Sequence, residues 1–117
     1  MKRDYCDYVA DALNSINEIE EFVEGLDFDE FKGNKKTVNA VIRSLEVLGE
    51  AAKNISGELR EKYSGIPWGR MAGMRDKLIH EYHGVDLEIV WAVLKEELPP
   101  LKPKIERMLE SLEKESQ

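Results

Sequence analysis

The segment GRMAGMRDKLIHEYHG, residues 69–84, has the spacing of an amphipathic helix but places an arginine where an apolar residue belongs. On a wheel of 100° per residue with Arg75 at zero, Trp68, Met71, Met74, Leu78, Ile79 and Tyr82 fall in one arc. It runs from about 260° through zero to about 40°. Arg75 lies inside that arc. A guanidinium buried without a partner costs several kcal/mol, so it needs a carboxylate or must face something outside the chain's own core. Glu46 and Glu50, which flank the apolar stripe of the preceding long helix, are the candidate partners. A helix that buries one stripe against another helix is the unit of an all-α bundle.

The opposite side of the segment gathers Gly69, Gly73, Asp76 and His80 between about 100° and 160°. Glycine inside a helix costs about 1 kcal/mol relative to alanine. Two of them spaced by four therefore predict close approach by a neighbouring helix, a second subunit or a polynucleotide strand. Asp76 precedes His80 by one turn and is placed to fix its tautomer and orientation, as the orienter of a general acid–base group does. Both histidines of the chain, His80 and His83, fall with Arg75 and Tyr82 inside nine residues.

Helical spacing extends outward from this segment. Tyr5, Tyr8, Val9, Ala12, Leu13, Ile16, Ile19 and Val23 form one stripe of a long helix. EGLDFDEFKGN interrupts it as a loop with one helical turn. Val38, Val41, Ile42, Leu45, Leu48, Ala52 and Ile55 mark a second long helix, and SGELREKYSGIP a short one closed by Gly65. Pro67 suits the first turn of the next helix, which runs to about Tyr82 and stops by Gly84. Asp86 is an N-cap for LEIVWAVLKEEL, Pro99-Pro100 turns the chain, and Leu101, Ile105, Met108, Leu109 and Leu112 mark a final helix. No segment alternates with period two. The expectation is a single domain over residues 1–117, an all-α, mostly antiparallel bundle of four to five helices.

Composition narrows the class. At 117 residues the chain can bury a core without staples, and its one cysteine, Cys6, forms no internal disulfide. No apolar run has the length of a signal peptide or a membrane span, which predicts a cytoplasmic protein. The net charge of −7 opposes broad, non-specific binding to nucleic acid. Charge is local, however. Residues 60–80 carry Arg60, Lys62, Arg70, Arg75 and Lys77 against Glu61 and Asp76, a balance of +3. His80 and His83 lack a third ligand and the HExxH spacing, so neither a metal site nor a cofactor is expected.

Arg75 and His80 are five residues apart, which points them about 140° apart on an unbroken helix. One copy aims them poorly at one reacting atom. Either the helix ends near His80, or two copies meet about a two-fold axis that gathers two arginines and two histidines in one cleft. The symmetric dimer is the favoured expectation.

RDKLIHEY resembles the Arg, four residues, His, any residue, Tyr signature of HEPN ribonuclease toxins of the HepT-like group. SLEVLGEAAKNIS, IPWGRMAGMRDKLIHEYHGVD and VWAVLKEELPPLKPKI are similar to that group in the same order, so the resemblance covers nearly the whole chain. It implies a HEPN-like bundle that dimerises around the motif helices and cleaves RNA without metal. By position, Arg75 and His80 match the two catalytic motif residues, and Asp76 fits the polar residue that supports them. Tyr82 matches the tyrosine to which a cognate antitoxin, a minimal nucleotidyltransferase, adds AMP. The implied partners are RNA, that antitoxin and a second copy of the chain, with a higher assembly possible alongside the antitoxin.

The chemistry follows from the residue types. RNA is cut by its own 2′-OH once a base removes that proton and an acid protonates the leaving 5′-oxygen. A histidine near its ordinary pKa of about 6.5 serves either role, worth roughly 10² to 10⁴ in rate. An arginine holds the phosphate and offsets developing charge. The alternatives are a non-catalytic dimeric module that binds a nucleotide or docks a nucleotidyltransferase, and a purely structural helical dimer. His83 is expected to cap the helix end.

Overall fold

Helix starts in this chain are written in short polar side chains that accept from their own first turn. The computed structural model describes residues 4–80 and 84–115, with the backbone alone at Ile79 and His80. Asp4 caps α1 (Tyr5–Val23) in a reciprocal box with Asp7, and Asp27 caps α2 (Phe28–Gly33) in another with Glu30. Asn34 accepts from the Thr37 N–H at the head of α3 (Lys35–Lys53), and Ser56 from Leu59 at the head of α4 (Gly57–Lys62). The chain continues into α5 (Trp68–His80), α6 (Leu87–Ala92) and α7 (Leu98–Glu115). All regular structure among the described residues is helical, as the sequence predicts. No helix there is long and apolar enough to cross a membrane.

α3 is the centre of the packing, with α1 on one side and α5 on another, while α7 covers α1. The apolar stripes expected for α1 and α3 meet here: Val9, Ala12, Ile16 and Ile19 are buried with Val41, Leu45, Leu48 and Ala52. Ile105, Met108 and Leu112 of α7 complete the same cluster. The interrupting loop holds more order than one turn. Its DFDE supplies the capping box of α2, which drives Phe31 out of water against Trp91, ring centroids 5.0 Å apart.

Pro99-Pro100 does not turn the chain. Residues 87–115 form one continuous helical run, in which Val93–Glu97 is a π-helical turn. The Leu98 N–H reaches back five residues to the Val93 carbonyl, a wider turn than the α-helix allows. Proline cannot donate to the ladder, and its ring presses on the carbonyl four residues back. A wide turn followed by two prolines in the first turn of α7 meets both constraints, and Pro99, Pro100 and Pro103 all lie exposed. The stop expected near Tyr82 and the cap assigned to His83 lie outside the described residues. Asp86 caps α6 as expected, accepting from the Glu88 and Ile89 N–H groups.

Candidate functional site

The start of α5 is pinned before its functional residues appear. The Trp68 indole donates to the Tyr63 carbonyl at 3.1 Å, and the Met71 N–H to the Pro67 carbonyl at 3.0 Å. Trp68, Met71 and Leu78 are buried, which turns the helix so that Arg75 faces α3. The guanidinium finds its carboxylates there. Arg75 Nε lies 3.0 Å from Glu50 Oε2, and Nη1 donates to Asp76 Oδ1 at 3.2 Å. Of the two candidates, Glu50 is the partner, while Glu46 pairs with Arg43 at 3.5 Å. The Arg75 side chain remains 29% exposed, so it is neither sealed in the core nor free in solvent.

Asp76 completes a chain of alternating charge. Lys53 Nζ donates to its Oδ1 at 2.6 Å, so α3 contributes Glu50 and Lys53 and α5 contributes Arg75 and Asp76. The Lys53 ammonium holds the Asp76 carboxyl below the ordinary carboxylate range, with Arg75 adding to the effect against partial desolvation. Asp76 therefore acts on Arg75 and Lys53. The side chain of His80, which it was expected to orient, lies outside the described residues, as does Tyr82.

Glycine matters at this interface, at a position the motif does not contain. A Cβ on Gly49 would collide with the Cβ of Arg75 and sit 2.8 Å from the Met71 carbonyl oxygen. The bare backbone of α3 is what admits Arg75 so closely. Gly69 and Gly73, the pair expected to mark close approach, meet nothing within 4 Å among the described residues. Their missing side chains serve no intramolecular contact there.

A cavity of roughly 340 Å³ opens beside the network, lined by Tyr8, Asp11, Arg43, Glu46, Glu50 and Arg75. Three carboxylates face two guanidiniums. Among the described residues Arg75 has two partners, Glu50 and Asp76, which use two of the five N–H donors of a guanidinium. Such an arginine is oriented and still able to bind an anion. The carboxylates around it set a cost that a further cation would offset. Lys53, Arg43, Tyr8 and Gly49 were not singled out from sequence. Lys53 was detectable, since it follows Glu50 by one turn, and Gly49 was detectable as a glycine inside an apolar stripe.

Residues 12–108 match the family model described as "Ribonuclease HepT-like". The chain is 48% identical to "Probable ribonuclease HepT" of Thermococcus cleftensis, over 92% of this chain and 98% of that protein. It is 46% identical to "Putative RNase MJ0125" of Methanocaldococcus jannaschii, over 96% of this chain and 97% of that protein. A longer protein of the same organism, "Gamma-glutamylcyclotransferase and putative RNase MJ0434", is 45% identical over 97% of this chain and 51% of its own length. No solved structure matches the chain.

Proposed function

The chain belongs to the HepT-like ribonuclease family, and from that premise we propose that it is the toxin of a toxin–antitoxin pair, a metal-independent endoribonuclease. Its site takes Arg75 from one copy of the chain and His80 from another. Ribonuclease chemistry makes RNA the substrate. The observation that carries the composite site is the course of α5, which stays helical from Arg75 through His80 while Arg75 is fastened to Glu50. Five residues of unbroken helix separate the two groups by about 140° and about 7.5 Å of rise. A second copy related by a two-fold axis brings a histidine to each arginine.

In this mechanism the imidazole of His80 removes the proton from a 2′-OH, and the 2′-oxygen forms a bond to phosphorus. The bond from phosphorus to the 5′-oxygen breaks, and the protonated imidazole returns the proton to that oxygen. The products are a 2′,3′-cyclic phosphate and a 5′-hydroxyl. The guanidinium of Arg75 holds the non-bridging oxygens and offsets their growing charge, while Asp76 and Glu50 keep it oriented. No metal takes part.

The residues 1–117 act as one HEPN-like domain in the cytoplasm. The same unit makes up about half of the longer Methanocaldococcus jannaschii relative, which supports treating it as self-contained. A minimal nucleotidyltransferase is the cognate antitoxin, and it silences the toxin by transferring AMP to Tyr82. The added phosphate places negative charge and bulk beside the cleft. The antitoxin can also join the dimer in a larger assembly.

The test is cleavage of RNA in EDTA by wild type, Arg75→Ala and His80→Ala. Wild type leaves 2′,3′-cyclic phosphate ends, and both variants lose at least a hundredfold in rate. Activity surviving in His80→Ala, or tight nucleotide binding without cleavage by wild type, overturns the reading.

A further inference from the structure

An acidic ribonuclease must still attract a polyanion, and the composite site alone is poorly charged for it. Two cations line a different cleft. A cleft of roughly 270 Å³ opens between the loop of residues 63–66 and α7, lined by Tyr63, Gly65, Ile66, Lys104, Arg107 and Ser111, with no carboxylate in its walls among the described residues. Lys104, Arg107 and Ser111 are spaced by three and four, so they form one stripe of α7. Two of the four α7 glutamates are paired, Glu115 to Lys62 at 3.0 Å and Glu110 to Lys114 at 3.6 Å, and neither Glu106 nor Glu113 lines the cleft. Lys104 is held in place, its Nζ donating to the Gly65 carbonyl across the cleft at 3.0 Å. Among the described residues Arg107 has no ion-pair partner.

We propose that this cleft is a second RNA-binding site. There Lys104 and Arg107 hold a phosphate of the substrate strand away from the scissile bond, and half-buried Tyr63 offers an aromatic wall to the adjoining base. Two cations, a hydroxyl and an aromatic ring are the groups that bind single-stranded nucleic acid without reading its sequence. The location suits one strand serving both sites. The loop leads directly into α5, whose start at Trp68 lies about 10 Å along the helix axis from Arg75. A long RNA gains this contact and a dinucleotide does not. The inference rests on the chain acting on RNA, not on the assignment of Arg75 and His80.

The experiment measures binding of a fluorescein-labelled 2′-O-methyl RNA, which lacks the attacking hydroxyl, by anisotropy across a salt series. Cleavage of long RNA and of a dinucleotide is followed in parallel. Lys104→Ala with Arg107→Ala weakens binding and reduces the slope of log K against log salt by about 0.7, the value for one phosphate of a single strand. It also raises KM for long RNA by a larger factor than for the dinucleotide. Arg107→Glu, at an exposed position without a described bond, weakens binding in the same way. Lys36→Glu, a charge-matched change at the exposed start of α3, binds as wild type does. Wild-type affinity and slope in the double variant, or an equal loss in Lys36→Glu, overturn this proposal alone. A wild type that neither binds nor cleaves RNA overturns it together with the ribonuclease reading.

Discussion

At Gly49 the missing side chain decides where the most informative residue of the chain can lie. Arg75 had to find a carboxylate because its wheel position is apolar, and sequence narrowed the choice to Glu46 and Glu50. The bond to Glu50 was legible for that reason. The glycine that permits it was visible as a glycine inside an apolar stripe, but its contact was not, because Gly69 and Gly73, in the same segment as Arg75, drew attention first, and a wheel shows no interhelical distances. Gly49→Ala is expected to destabilise the protein by about 1–3 kcal/mol, since its Cβ would press on Arg75 and on backbone that cannot yield easily. Alanine's better helix propensity returns less than about 1 kcal/mol of that. Urea unfolding measures the difference. A midpoint at or above that of wild type contradicts the packing described.

Elements were legible in proportion to how local their causes are. Asp86 announces α6 from sequence because a cap needs only its own first turn, and the Asp27–Glu30 box of α2 was legible on the same grounds, although the two glycines of EGLDFDEFKGN drew the eye to a loop. Asp86→Ala removes an acceptor from two N–H groups and should cost about 1 kcal/mol, with a matching fall in urea midpoint. A change within a few tenths would show that α6 is held by packing alone. Pro99-Pro100 misled for the opposite reason. The wider turn that accommodates them lies upstream, in Val93–Glu97, and depends on a hydrogen bond five residues long that no proline statistic contains. The burial of Leu98 and Leu101 on either side of the pair keeps the run in register with the core.

For the whole molecule, net charge and bundle class were visible in composition, while the distribution of charge was not. Carboxylates crowd the cavity beside Arg75, while Lys104 and Arg107 line a cleft with no carboxylate among its described walls, so an overall value of −7 describes neither place. In the proposed site the pairing of Arg75 with His80 is a property of two molecules. Helix geometry aims the two groups of one copy poorly at one phosphodiester, about 140° apart. Mixing the two inactive variants tests this most directly, since Arg75→Ala supplies an intact histidine and His80→Ala an intact arginine. After co-refolding, half of the dimers formed at random are mixed, and each mixed dimer holds one complete site of two. Cleavage should therefore return to about a quarter of the wild-type rate, with 2′,3′-cyclic phosphate ends. A mixture as inactive as its components would contradict a site shared between copies.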